Sequence, residues 1–249
     1  GCPLRMLLRL GGGDLNALVG LVGFAAGVGV GALALNRGFS LKRTYDQPTV
    51  EGAALPTFSV LLLCLTVVVP SLFAFSAEGP GASHAPLLIS LAGGLLIGAL
   101  AQRSRFCMAG GIRDVALFKD FHLLWGSLAV VVVVLIGNLL LGKFKLGFDG
   151  QPIAHTDGVW NFLGMALAGF GSVLLGGCPL RQTVMAGEGN SDSAITLLGM
   201  LTAAAFCHNF GLAASADGPT LNGKIAVAVG FAILIVVTIF NTGRKGAKA

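Results

Sequence analysis

The chain has 249 residues, of which 55% are hydrophobic and 11% charged, against roughly 25% charged in an ordinary soluble domain. A mean hydropathy of +0.85 agrees, and so few charges cannot cover the surface of a soluble fold, which is excluded in favour of an integral membrane protein. The net charge of +5 comes without a basic stripe interleaved with aromatics, so nucleic acid is set aside as a partner and the basic residues read as those of membrane loops.

The chain opens inside a motif, GCPLR, with Gly1 where an initiator methionine would stand, which implies an N-terminal truncation. Seven stretches then approach the about 20 residues that a bilayer crossing needs. They are Leu15–Leu35, Leu55–Phe75, Ala85–Ala101, His122–Gly142, Gly158–Gly176, Ser193–Ala214 and Ile225–Asn241. All are expected to be helical, because lipid offers no partner to an open strand. In the first, Gly23, Gly27 and Gly31 recur at four-residue spacing, as Gly94 and Gly98 do in the third. Such faces predict close helix packing. In the second, LLLCLTVVV places Cys64 without polar company, as a small hydrophobe. Between the third and fourth lies QRSRFCMAGGIRD, with Gln102, Arg103, Arg105, Cys107, Arg113 and Asp114. The fifth leads into GGCPLRQTVMAGEGN. The sixth contains AFCHNFG, where Cys207, His208 and Asn209 form a polar cluster that either hydrogen-bonds between helices or lines a passage. His84, His122 and His155 fall at span ends or in loops and carry no signal. GEGNSDS lacks a Walker lysine and an EF-hand spacing, so it reads as a turn with Ser191 or Asp192 capping the next helix.

With the C-terminal tail inside, the inside segments hold Arg37, Lys42, Arg43, Arg103, Arg105, Arg113, Lys119, Arg181, Arg244, Lys245 and Lys248. The outside segments hold Arg5, Arg9, Lys143, Lys145 and Lys224. This excess fits the positive-inside rule, with the Lys143/Lys145 loop discordant.

Gly1 aligns with Gly177 without a gap. Cys2, Pro3, Leu4 and Arg5 then meet Cys178, Pro179, Leu180 and Arg181, and Gly11, Gly13 and Gly23 meet Gly187, Gly189 and Gly199. Asp14 and Asn16 face Asn190 and Asp192. One register holding over such a length marks an internal repeat. The helices that follow the two copies are an odd number of spans apart, so the copies are expected to enter the membrane from opposite sides, as inverted repeats do. The second copy has a helix before it and the first has none, which predicts one helix missing upstream of Gly1. The expected fold is all-α: a single polytopic transmembrane domain, its first repeat about residues 1–142 and its second about 158–241, with broken or re-entrant helices at the cysteines. Gly98 to Asp114 shares the layout more loosely.

Each cysteine corner is expected to break a helix. Pro3 and Pro179 cannot donate a backbone hydrogen bond, and the glycines after them permit unusual dihedrals. A broken backbone at membrane depth is tolerated where it lines a cavity or is buried in protein. A helix restarting after the break aims its N–H groups at an anion. Arg5, Arg105 and Arg181 add formal charge, with Asp14, Asp114, Glu188 and Asp192 available to orient them; Arg9 and Arg103 read as interfacial anchors, Arg9 more so. Thiols are weak donors and soft acceptors, so Cys2, Cys107 and Cys178 along one passage suit a soft anion carrying sulfur or selenium. No CxxC pair occurs, and neither a zinc site nor a dithiol motif is indicated.

GCPLRMLLRLGGGDLNAL, QRSRFCMAGGIRD, GGCPLRQTVMAGEGNSDSA, AFCHNFGLAAS and GPTLNGKIAV together resemble the YeeE/YedE family of sulfur-transport membrane proteins, over nearly the whole chain and closest to its selenium-metabolism branch. The resemblance implies an inner-membrane, multi-pass protein that is not an enzyme and needs no cofactor. It implies inverted repeats around a narrow passage where cysteines pass a thiosulfate-like or selenium anion along by hydrogen bonds. Cys2, Cys107 and Cys178 match those motif positions, and the missing upstream helix departs from the family pattern. The candidate substrate-binding set is therefore Cys2, Arg5, Gln102, Arg105, Cys107, Cys178, Arg181, Cys207, His208 and Asn209. A cytoplasmic sulfur-carrier protein is the expected macromolecular partner. The alternative reading is a membrane redox or persulfide-carrier protein. A purely structural subunit ranks last, because it leaves the thrice-used cysteine break unexplained.

Overall fold

The computed structural model describes residues 2–41, 46–73, 82, 85–152 and 155–243. Gly1, Lys42, Arg43, Ala74, Phe75, His84, Arg244, Lys245 and Lys248 lie outside the described residues. The described residues form the helices α1 (Pro3–Gly11), α2 (Leu15–Asn36), α3 (Thr49–Val68), α4 (Leu87–Ser104), α5 (Met108–Phe118), α6 (His122–Leu140), α7 (Gly158–Leu174), α8 (Pro179–Gly187), α9 (Ser191–Asn209) and α10 (Leu221–Asn241). Among the described residues six stretches are long and apolar enough to cross a membrane: α2, α3, α4 with α5, α6, α7 with α8, and α10. The chain is a multi-pass membrane protein.

Two of the crossings are broken at a cysteine. Leu87–Phe118 is interrupted where Arg105 turns left-handed (φ 52°) before Cys107. Gly158–Gly187 is interrupted at Gly176 (φ 79°), just before Cys178. The expected second span, Leu55–Phe75, begins earlier and stops at Val68, because Pro70 cannot continue the helix. The expected sixth span, Ser193–Ala214, forms α9. It carries Asp192, Thr196, His208 and Asn209 and is not among the six apolar crossings. The opposite orientation expected for the two GCPLR copies rests on α9 crossing nonetheless.

The local build of the two copies is the same. In each, a proline opens a nine-residue helix, α1 or α8. A left-handed glycine follows, Gly13 (φ 98°) or Gly189 (φ 91°). The next side chain caps the following helix: Asp14 Oδ1 accepts from the Asn16 amide at 2.9 Å, and Asn190 Oδ1 accepts from the Ser193 amide at 2.8 Å. The second cap is thus Asn190 rather than Ser191 or Asp192, since the turn at Gly189 places residue 190 just outside the helix, where a cap must stand. The looser copy has the same order: Cys107, α5, left-handed Lys119, then Asp120 accepting from the His122 amide at 2.9 Å to start α6.

By packing, the chain divides into two units. The first holds residues 1–43, 107–180 and 201–249. Its spine is α2 against α7, running parallel at glycine distance. A methyl group at Gly23 would strike the Phe162 carbonyl and one at Gly27 the Ala166 carbonyl; one at Gly169 would strike the Phe24 carbonyl. No other residue lets two backbones approach so closely. At one end of the spine Ala34, Phe39, Phe170 and Leu174 form a buried cluster with Phe231 and Leu234 of α10. At the other end the α1–α2 elbow is tied to the loop before α7. The amides of Lys145 and Gly147 donate to the carbonyls of Gly12 and Gly13, and the Leu15 amide donates to the carbonyl of Gly147, at 3.0, 3.0 and 3.1 Å. Gly13 needs both its positive φ and its missing Cβ here, because a methyl would meet the Lys145 carbonyl. The short helices α1 and α5 meet opposite ends of α6, Gly11 beside Asn138 and Gly111 beside Leu123.

The second unit holds residues 44–106 and 181–200. In it Gly52 of α3 lies back to back with Gly189, so that a Cβ on Gly52 would sit 2.8 Å from the Gly189 carbonyl oxygen. The small-residue face of α4 is different from that of α2: Gly94 and Gly98 have nothing within 4 Å of where a Cβ would be.

Candidate functional site

The first unit brings together two of the three corner cysteines. Cys107 stands in extended backbone at the N-cap of α5, 7% exposed, and Cys178, 1% exposed, directly precedes Pro179 at the start of α8. The Cys107 sulfur accepts from the Gly110 amide at 3.2 Å and from the Cys178 amide at 3.5 Å. The Cys178 thiol lies within hydrogen-bonding reach of the same sulfur. Two adjacent glycines make room for this. A Cβ on Gly110 would crowd Cys107 Cβ and Sγ at 3.3 and 3.4 Å, and one on Gly111 would press on Leu123 and Leu124 at 3.2 Å. A narrow crevice walled by Gly110, Arg113, Ser172, Gly176 and Gly177 runs beside the pair. Arg113 is braced by Asp114, with Nη2 2.8 Å and Nε 2.9 Å from the same carboxylate oxygen. Asp114 therefore orients Arg113. No disulfide is formed by any of the five cysteines. The absence of CxxC from the sequence conceals a thiol pair that tertiary folding assembles.

Cys2 lies elsewhere in the same unit. It lines a cavity of about 750 Å³ with Arg5, Met6 and Arg9, which share one face of α1. The opposite walls come from His155, Trp160 and Asn161, and from His208 with the turn after it, Leu212 to Ser215. Neither Cys107 nor Cys178 contributes to these walls. Among the described lining residues there are four basic groups and no carboxylate. Arg9 is not an interfacial anchor: its guanidinium holds the buried Asp14 through Nη2 at 2.6 Å and Nε at 2.7 Å. Asp14 thus neutralises Arg9 and leaves Arg5, which is exposed, without an ionic partner among the described residues. His155 Nδ1 is buried and has no hydrogen-bond partner among the described residues. Burial pushes its pKa below the usual value, the Asp157 carboxylate opposes that, and the Arg9 charge adds to it. Lys224 stands over the Trp160 ring, 5.5 Å from its centre.

The remaining sequence candidates are placed as follows. Cys207 is half-buried near the end of α9, with its carbonyl accepting from the Leu212 and Ala213 amides, and Asn209 is exposed and donates to the Ala205 carbonyl. In the second unit Gln102 and Arg105 are exposed at the end of α4. There Arg181 faces Glu188 at 3.8 Å, and its buried Nη1 has no hydrogen-bond partner among the described residues. Sequence reasoning missed Arg9, His155, Trp160 and Arg113. The first was available as a pattern, since Cys2, Arg5, Met6 and Arg9 fall at the spacing of one helical face. The others come to the site through loops and tertiary contacts with no local signature. Among the described residues no three His, Cys, Asp or Glu side chains gather to hold a metal ion.

Residues 103–243 match the family model described as Sulphur transport. The thiosulfate transporter TsuA of Escherichia coli K12 is 32% identical over 115 residues, 45% of this chain and 31% of that protein. TsuA of Spirochaeta thermophila is 36% identical over 96 residues, 39% of this chain and 28% of that protein. The H(+)/Cl(-) exchange transporter ClcA of Cronobacter sakazakii is 30% identical over 185 residues, 72% of this chain and 36% of that protein. The chain thus spans about a third of the length of the curated relatives it matches. No solved structure matches it. With cysteine-centred helix breaks, six apolar crossings and a family model covering more than half its length, the chain belongs to the sulphur transport family of YeeE/YedE membrane proteins.

Proposed function

We propose that this protein carries a small sulfur-containing anion of the thiosulfate type across the inner membrane, with Cys107 and Cys178 as the point where the anion is held by hydrogen bonds. The observation that carries this reading is the meeting of the two buried thiols at the starts of α5 and α8. Helix N-termini favour negative charge, and thiols are soft donors matched to a sulfane sulfur. Cys2, Arg5 and His208 form a further station, and Arg181, Arg105, Gln102, Cys207 and Asn209 belong to the same proposal as contributors of charge or polarity along the way. A selenium oxyanion has the same charge and a softer chalcogen, so it falls within the proposed class. The chain is read as a carrier or channel rather than an enzyme, delivering to a cytoplasmic sulfur-carrier protein. The single domain with inverted halves is part of the same reading. Uptake of labelled thiosulfate into proteoliposomes tests it: Cys107→Ala and Cys178→Ala are each expected to abolish uptake while inserting normally. Full uptake by both variants would sink the proposal.

The same thiol contact favours a second reading. A Cys178 thiolate attacking the sulfane sulfur of thiosulfate would form a persulfide and release sulfite, with the electron pair of the broken S–S bond leaving on sulfite. Intact-protein mass spectrometry after thiosulfate exposure separates the two. A stable sulfur adduct on Cys178 supports the persulfide carrier, and an unmodified mass with active uptake supports hydrogen-bonded passage.

A further inference from the structure

We propose that Cys107 and Cys178 form a redox modification site: a small hydroperoxide joins them in a disulfide, and a small thiol reopens it. Only the consequence for uptake rests on the transport reading; the bridge itself rests on the geometry of the pair.

A disulfide needs two sulfurs that can close to about 2 Å, with their Cβ atoms about 4 Å apart. The pair starts near that arrangement. Cys107 Sγ lies 3.5 Å from the backbone nitrogen of Cys178, and the Cys178 thiol is within hydrogen-bonding reach of it. Neither cysteine is inside a helix. Cys107 is the extended N-cap of α5, and Cys178 directly precedes Pro179, the first residue of α8. The last step of approach is therefore made by side-chain torsions and loop backbone, with no helix unwound. Gly176 supplies the give on one side: its φ is 79°, and there is open space where a Cβ would stand. The other cysteines are placed differently. Cys2 lines a cavity whose walls include neither thiol, Cys64 is exposed on α3, and Cys207 is half-buried in α9.

The surroundings set the order of the chemistry. Cys107 Sγ already receives two amide N–H groups, from Gly110 at 3.2 Å and from Cys178, and it stands at the N-terminus of α5. Negative charge that builds on this sulfur during attack is met by donors already in place. Cys107 is therefore the attacking thiol. Its sulfur bonds to one peroxide oxygen as the O–O bond breaks, the thiol proton leaves with the other oxygen as water, and a sulfenic acid remains. Cys178 then attacks that sulfur. The S–S bond forms, the S–O bond breaks, and the hydroxyl leaves with the Cys178 proton as a second water. Each cysteine gives up one electron, and the peroxide takes both. With the second thiol already in contact, bridging outruns further oxidation of the sulfenic acid. Burial selects the reagent. At 7% and 1% exposure the sulfurs are closed to disulfides the size of oxidised glutathione. Hydrogen peroxide is uncharged and little larger than water, and the glycine-walled crevice beside the pair offers its approach. The bridge removes both S–H donors and ties the start of α5 to the break between α7 and α8, which on the transport reading closes the passage.

Treating the purified full chain with hydrogen peroxide and digesting it under non-reducing conditions tests the site. The expected product is a pair of peptides, one containing Cys107 and the other Cys178, joined at a mass two hydrogens below their sum and separated by 2-mercaptoethanol. Cys178→Ser should leave Cys107 as a sulfenic acid that dimedone traps, while Cys107→Ser should leave Cys178 unoxidised under the same exposure. Dimedone on Cys178 in place of Cys107 would overturn the order of attack. Absence of the joined peptides in the native chain, or a bridge made mainly with Cys2, Cys64 or Cys207, would overturn the site. In proteoliposomes, peroxide is expected to abolish thiosulfate uptake and 2-mercaptoethanol to restore it, in step with the joined peptides. If the bridge forms and uptake continues in full, the site stands and the reading of the thiols as the point of passage falls. If no bridge forms while Cys107→Ala abolishes uptake, the site falls and the thiol passage stands.

Discussion

Asp14 does three things at once, two of them through its carboxylate and separable by substitution. Its carboxylate caps α2 through the Asn16 amide and pairs with Arg9, while its backbone enters the bridge to Gly147. Removing a cap of this kind costs roughly 0.5–2 kcal/mol. Leaving a half-buried arginine without its counter-charge adds to that cost. Asp14→Ala is therefore expected to lower stability by about 2–3 kcal/mol, and Asp14→Asn, which keeps the cap, by about half as much. Thermal unfolding in detergent measures both. The sequence pairs Asp14 with Asn190 across the repeat, and both are caps. The partner of Asp14 was less legible. Composition offers several arginines, and only the elbow at Gly12–Gly13 folds Arg9 back onto it.

Among the elements, the glycines of α2 and of α4 look alike in sequence and differ in the fold. Gly27 has backbone on its other side, and Gly94 has open space. A methyl group forced between α2 and α7 must push two helices apart, so Gly27→Ala is expected to cost about 1–3 kcal/mol. Gly94→Ala fills no occupied space and replaces a helix-weakening residue, so it is expected to be neutral or to stabilise by up to about 1 kcal/mol. Parallel melts of the two variants check the contrast. The four-residue spacing was readable as a packing face in both cases. Which face finds a neighbour depends on contacts far along the chain, which local spacing does not encode.

For the whole molecule, the order of crossings has a direct test. The α1–α2 elbow is bonded to the Lys145 loop, and α2 then crosses once to Arg37. Single cysteines at Lys145 and Arg37, in a background without the native ones, are expected to react with a membrane-impermeant maleimide from opposite faces, Lys145 from outside. Labelling of both from one face would overturn the order. The membrane class, the helix breaks and the repeated corner were all legible, because hydropathy, proline and glycine act locally. The Cys107–Cys178 meeting was not, since the two are 71 residues apart and each is only a cysteine beside glycines until the helices pack. The cavity beside Cys2 was legible by half: the α1 face is written in four residues, and its far wall is assembled from the loop before α7 and the turn after α9.

The three backbone hydrogen bonds that join Gly12, Gly13 and Leu15 to the Lys145–Gly147 loop have a mechanical meaning. They splint the elbow, and Asn138, Asn16 and Gln151 reinforce the splint from three sides. A splinted elbow cannot swing alone: α1 and the loop must travel as one piece or stay still. On the proposed route past Cys2, an opening stroke therefore has either to carry this whole corner along or to be made by the side chains alone.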